Sequence, residues 1–143
     1  MISSQYENEP IDAQSYCYSE LAYQDVNKAA DWLVANFGFK KRLVIGDHRV
    51  QIEIGNGGAM VAIQGDGGGT AISHAVMVRV EGADELYDRL VRSGVNVLGA
   101  PTSYPFGERQ FSAEDVGGHR WTFSQTIDDV DPASWGGELV GER

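Results

Sequence analysis

The chain has 143 residues, 42% of them hydrophobic and 22% charged, an ordinary balance for one domain with a real hydrophobic core. Its formal charge of −10 speaks against nucleic acid and anionic membranes as partners, and no apolar run approaches the ~20 residues of a spanning helix. Cys17 is the only cysteine, which excludes an internal disulfide framework and fits a reducing cytoplasm, and Met1–Ser4 opens no basic and apolar leader.

Residues 1–14 are polar and aperiodic and read as a flexible N-terminal arm. Ser15–Tyr23, tyrosine-rich and free of glycine, reads as a strand. Asp25 or Asn27 can cap a helix running to Phe37, with Val26, Ala30, Leu33, Val34 and Phe37 at helical spacing and Gly38 as its stop. Phe39–Gly46, Val50–Gly55 and Ala59–Gln64 follow as three short strands, the last two joined through Asn56-Gly57-Gly58, a strong hairpin signal. Gly65–Thr70 lacks the lysine and following helix of a phosphate-binding loop and reads as a joint, with 65–73 as its outer limits.

After the joint the pattern begins again. His74–Val80 reads as a strand, Ala83–Ser93 as a helix ended by Gly94, and Asn96–Thr102 as a further strand. Tyr18 registers with His74 and Gly38 with Gly94, since 74 − 18 and 94 − 38 both give 56. Such a repeat indicates two modules, 15–64 and 74–125, that cannot bury their faces alone. The second closes on Tyr104–Gln125. There Glu108–Ala113 and Arg120–Gln125 flank the turn Asp115-Val116-Gly117-Gly118, and Trp121 and Phe123 alternate with Arg120, Thr122 and Ser124. His48 and His119 fall in turns and are expected to be solvated. Residues 126–143 form a tail expected to pack on the domain or a partner through Trp135.

Gly107, Arg109, Phe111, Asp115, Gly118, Trp121 and Phe123 together resemble the closing hairpin of the glyoxalase/bleomycin-resistance (vicinal oxygen chelate) superfamily, with Val116 in place of the usual proline. The repeat extends that resemblance over about Ser15 to Gln125. It implies an α+β fold of two βαβββ modules, whose curled, mostly antiparallel mixed sheet surrounds a cavity with helices outside. It also implies a homodimer, which would cover the sheet edges.

Enzymes of this superfamily hold Zn, Ni, Fe or Mn with one side chain from each of four strands. The resemblance carries those positions onto Tyr18, Ala62, His74 and Thr122, of which only His74 suits a metal. The expectation is therefore a protein without a cofactor that binds a small molecule, nearest to the bleomycin-resistance-like members. The alternative is a lyase, isomerase or dioxygenase of the same superfamily, using a divalent metal or acid/base chemistry through His74 and Glu20. Candidate ligand contacts are Tyr18, Glu20, His74, Val76, Tyr104, Phe106, Arg109, Arg120 and Thr122, with Val78 expected on the same face as Val76. Glu20 would supply an anion, with Arg109 to balance that charge or grip a ligand oxygen, and the tyrosine and phenylalanine rings would supply faces for a neutral or cationic aromatic ligand. The competing reading is that Arg109 or Arg120 neutralises Glu20 and leaves no selectivity.

Overall fold

The computed structural model describes residues 18–55, 57–65 and 75–138. The N-terminal arm, most of the glycine joint and His74 lie outside the described residues. The rest forms an α+β fold of two units. Of the described residues, one unit comprises 18–55, 57–65 and 75–76 with Glu114–Arg120, the other Met77–Ala113 with 121–138.

In the first unit, β1 (Ser19–Tyr23) leads into α1 (Val26–Phe37), then β2 (Lys40–Ile45), β3 (Arg49–Ile54) and β4 (Gly58–Gln64). The sheet runs β1-β4-β3-β2, with β1 parallel to β4 and the other neighbours antiparallel. Leu21 and Val50 both pair with Ala62, and Ile52 pairs with Met60, so these buried side chains share the face that packs on Ala29, Ala30, Leu33 and Phe37 of α1. Asp25 is the N-cap, its carboxylate accepting from Lys28 N at 3.1 Å, and Gly38 ends the helix at φ 75°.

The second unit repeats the plan with β5 (Val76–Arg79), α2 (Ala83–Arg92), β6 (Thr102–Ser103), β7 (Glu108–Glu114) and β8 (Arg120–Thr126), in the order β5-β8-β7-β6. Neither sheet is closed into a barrel. Tyr87 of α2 meets Phe111 edge-on at 5.6 Å, and Phe111 lies 5.3 Å from Phe123, so the aromatic side of the hairpin forms the helix-facing core. The second helix keeps its glycine stop, Gly94 at φ 77°.

Each helix start is also held by the last strand of its own unit. Gln64 Oε1 accepts from Val26 N, and Gln125 Oε1 accepts from Ala83 N, both at 3.0 Å. An amide side chain thus satisfies a backbone donor that a helix leaves unpaired.

Two expectations need correction here. Asn96–Thr102 is not one strand: only Thr102–Ser103 pairs continuously with β7, preceded by an isolated bridge between Val97 and Ala113. Gly99 at φ 140° and Pro101, which has no N–H to donate, interrupt the ladder. The repeat also has two offsets. Strand openings Ser19 and Val76 and helix openings Val26 and Ala83 are 57 apart (76 − 19 and 83 − 26), whereas the helix-ending glycines are 56 apart. The second helix is shorter, so a register taken from the glycines slips by one residue on the strands.

Candidate functional site

That slip moves side chains across a sheet, because neighbours along a strand face opposite ways. Val78 is buried with the core, while Met77 and Arg79 lie beside Gln110 and Ser124 on the other face. Val76 and Val78 therefore face the helix side, a correction to their placement as ligand contacts. The β-branched alternation of Val76, Val78 and Val80 marked the core stripe, and the glycine alignment obscured it. The residue equivalent to Tyr18, immediately before its strand, is Ala75 rather than His74.

The first sheet brings a parallel correction. Ala62 is fully buried against Leu21 and Val50 on the helix side. Val61, which pairs with Glu20 and Gln51, is the β4 residue on the opposite face. On the corrected register, the four positions that the resemblance implies fall on Tyr18, Val61, Ala75 and Thr122, with no imidazole or carboxylate among them. This donor set does not fit a divalent metal. Among the described residues, no three His, Cys, Asp or Glu side chains are grouped to hold one.

The remaining predicted contacts are dispersed. Glu20 is exposed and faces Arg49 Nη1 at 3.6 Å, so its cation is neither Arg109 nor Arg120. Arg109 donates three N–H bonds to Asp84 at 2.9–3.2 Å and one to Ser103 at 2.9 Å, tying α2 to β6. The guanidinium beside Asp84 holds that carboxyl below its usual range. Thr122 shares a 2.8 Å hydrogen bond with Ser112, and Arg120 is half-buried with its Nε unpartnered among the described residues. Tyr18 is half-buried at the start of β1.

Two of the predicted contacts, Tyr104 and Thr122, line a pocket of about 290 Å³ with Gln110 and Ser112, while Phe106 lines a larger open cleft, about 610 Å³, with Met77, Arg79, Glu108, Gln110 and Ser124. Tyr104 stacks on Phe106 at 5.3 Å and 6°, and Trp135 of the tail's 3₁₀ turn (Pro132–Trp135) meets Phe106 at 5.6 Å and 61°. The carboxylate in this cleft, Glu108, was missed in the sequence. Ser124 Oγ donates to it at 2.7 Å, and Gln110 Nε2 donates to Ser124 Oγ at 3.0 Å. The Ser124 bond, opposed by partial burial and aided by Thr126 and Arg79, holds the Glu108 carboxyl below its usual range. An alternation of Glu108, Gln110 and Ser112 opposite buried Phe111 and Ala113 was the available signal.

A second polar cluster in the first unit was also missed. The Tyr23 hydroxyl donates to Asp115 Oδ2 at 2.6 Å, while Asp115 Oδ1 accepts from Gly117 N at 2.9 Å and His119 N at 3.0 Å. His119 is 7% exposed, not solvated as expected. Its Nε2 donates to the Ala22 carbonyl at 2.8 Å, and its buried Nδ1 has no partner among the described residues. With the turn folded inward, the three bonds from Tyr23, Gly117 and His119 offset the cost of burying the Asp115 carboxylate. A Cβ on Gly117 would stand 2.7 Å from the Tyr23 ring, so only glycine allows this approach. Burial, then the charge and hydrogen bond of Asp115, push the Tyr23 phenol far above its usual range.

The model of the Glyoxalase/Bleomycin resistance protein/Dioxygenase superfamily matches residues 16–123. Comparison with curated proteins finds no match. Among solved structures, TioX from Micromonospora sp. ML1 is similar at 28% identity and TM-score 0.65, over 82% of this chain and 100% of that one. Hypothetical protein SA1046 from S. aureus shares 22% identity at TM-score 0.62, over 78% and 96%. The fosfomycin resistance protein FosX from Listeria monocytogenes shares the fold at 16% identity and TM-score 0.65, over 87% and 94%. Fold, repeat and family match agree: the chain belongs to the Glyoxalase/Bleomycin resistance protein/Dioxygenase superfamily.

Proposed function

We propose that this chain is a small-molecule-binding protein that works without a metal, holding or sequestering a ligand rather than transforming it. The observation that carries this reading is the side-chain content of the four family positions: a phenol, two aliphatic groups and a hydroxyl already bonded to Ser112. Those groups supply neither the charge nor the softness that Zn, Ni, Fe or Mn requires. The ligand's place is the Phe106–Glu108 cleft, whose volume falls within the ~300–1,000 Å³ of small-molecule sites. A protein named for fosfomycin resistance uses the same fold, which fits a role in handling small molecules.

The working unit is a homodimer in a reducing cytoplasm. Its edge strand β2 exposes Leu43, Val44 and Ile45, a surface that a second copy would cover, and its single cysteine fits that compartment. Incubation with Zn, Ni, Fe and Mn, followed by dialysis and elemental analysis, tests the metal claim. Less than about a tenth of an equivalent should remain. Stoichiometric retention of any of the four would restore the enzyme reading. Light scattering at micromolar concentration tests the dimer, and a monomer mass would refute it.

A further inference from the structure

We infer that the cleft over β5, β7 and β8 selects a compact organic cation, with Glu108 receiving the ligand's N–H donors and Phe106 receiving its flat or charged face. This rests on the small-molecule-binding reading and names the ligand class for that site.

The argument starts from the direction of the hydrogen bonds. Gln110 donates to Ser124, and Ser124 donates to Glu108. On the other side Arg79 Nη1 donates to Thr126 Oγ1, and Thr126 in turn bonds Glu108. Two donor chains therefore converge on one carboxylate. These bonds engage the Ser124 hydroxyl proton and one N–H each of Gln110 and Arg79, and the other N–H groups of Arg79 sit on an exposed side chain. Around Glu108 itself the polar lining offers acceptor capacity, the carboxylate's remaining lone pairs and the amide oxygen of Gln110.

Charge points the same way. Glu108 has a side-chain exposure of 19%, whereas Arg79, at 3.8 Å, is 72% exposed. Water screens the arginine more than the carboxylate, so the negative member dominates the field inside the cleft. The chain's net charge of −10 adds a favourable long-range potential for a cation.

The apolar lining completes the match. Phe106 lines the cleft, braced by stacked Tyr104 and edge-on Trp135. A carboxylate beside an aromatic face is the pairing that receives an amidinium, guanidinium or protonated amine on a flat frame. Met77, an exposed thioether on the same face, can adapt to the frame's outline.

Benzamidinium, benzamide and benzoate share one ring and differ in charge, and calorimetric titration of the EDTA-treated full chain compares them. Benzamidinium should bind at least about tenfold more tightly than benzoate, roughly 1.4 kcal/mol. Glu108→Gln keeps the acceptor for Ser124; it should cost benzamidinium at least about fivefold in affinity while leaving benzamide within about twofold. Benzoate binding as tightly as benzamidinium, no benzamidinium binding at millimolar concentration, or a cation preference that survives Glu108→Gln would each overturn the assignment. Should that variant melt too low to titrate, the parent chain is titrated in about 0.05 and 0.5 M NaCl. Benzamidinium affinity should weaken and benzamide affinity hold, and equal change in both overturns the assignment. If all three compounds bind only after Zn or Mn is added, the metal-independent reading fails. The Glu108 assignment is then judged by the same variant with metal present.

Discussion

Tyr23→Phe removes one oxygen atom and tests whether the hairpin tip is locked to β1. The hydroxyl bonds a buried carboxylate at 2.6 Å, and Tyr23 is 1% exposed. A hydrogen bond to a charged partner contributes about 1.5–3 kcal/mol. Asp115 keeps its bonds from Gly117 and His119, so the carboxylate is weakened in support but not orphaned. The expected loss is therefore about 2 kcal/mol, roughly 6 °C in Tm for a domain of this size. Thermal and urea unfolding followed by circular dichroism measure it at pH 7. The pH profile supplies an independent arm. The folded phenol's pKa is raised, so its stabilisation is complete below the unfolded value near 10 and is lost as pH climbs above it. The loss proceeds at up to about 1.4 kcal/mol per pH unit, and the gap between parent and variant should shrink between about pH 10 and 11. A variant that melts within about 1 °C of the parent at pH 7, or a gap that does not shrink in alkali, refutes the lock.

Removing either strand-to-helix cap, Gln64→Ala or Gln125→Ala, should cost about 1 kcal/mol by urea unfolding, and no change in either would show that water replaces the amide. Gly107→Ala should destabilise by more than about 2 kcal/mol, since φ is +87° and the new Cβ would meet the Asp128 carbonyl oxygen at 2.3 Å; a melting point unchanged in this variant would count against the backbone geometry. His119→Asn, which keeps a donor for the Ala22 carbonyl but loses the edge-on contact with Tyr23, should destabilise less than His119→Ala; equal melting points would separate the histidine from that carbonyl.

Local signals that act within a few residues were legible in the chain: the Asp25 cap, the Gly38 and Gly94 stops, the aromatic stripe of Trp121 and Phe123. Each depends on backbone chemistry next to it, and the two βαβββ modules follow from their order. The site was harder to read because it depends on a register of one residue. The glycine pair gave 56 and the strands required 57, enough to exchange Val76 for Met77 and His74 for Ala75. Ala62 and Val61 differ in the same way across β4. His119 was misread because a turn histidine is usually wet. Its burial comes from Tyr23, 96 positions earlier (119 − 23), whose ring meets it edge-on at 4.9 Å. Glu108 was visible as an alternating position, but its importance lies in two donor chains from β5 and β8 that no local pattern discloses.

The Tyr23–Asp115 bond joins residues 92 apart in the chain, and this sets an order of events during synthesis. The strands of the first sheet and their helix are all present once Gln64 has been made, whereas Asp115 follows about 50 residues later. At ~5–20 residues per second, the phenol waits roughly 3–10 s for its acceptor. Through that interval the nascent first sheet must leave Tyr23 in contact with water or bury an unpaired hydroxyl. The hairpin tip therefore acts late, as the step that converts a loosely formed first unit into a fully paired one. Truncated chains ending before Asp115 should accordingly remain more open to proteolysis at β1 than the full-length protein.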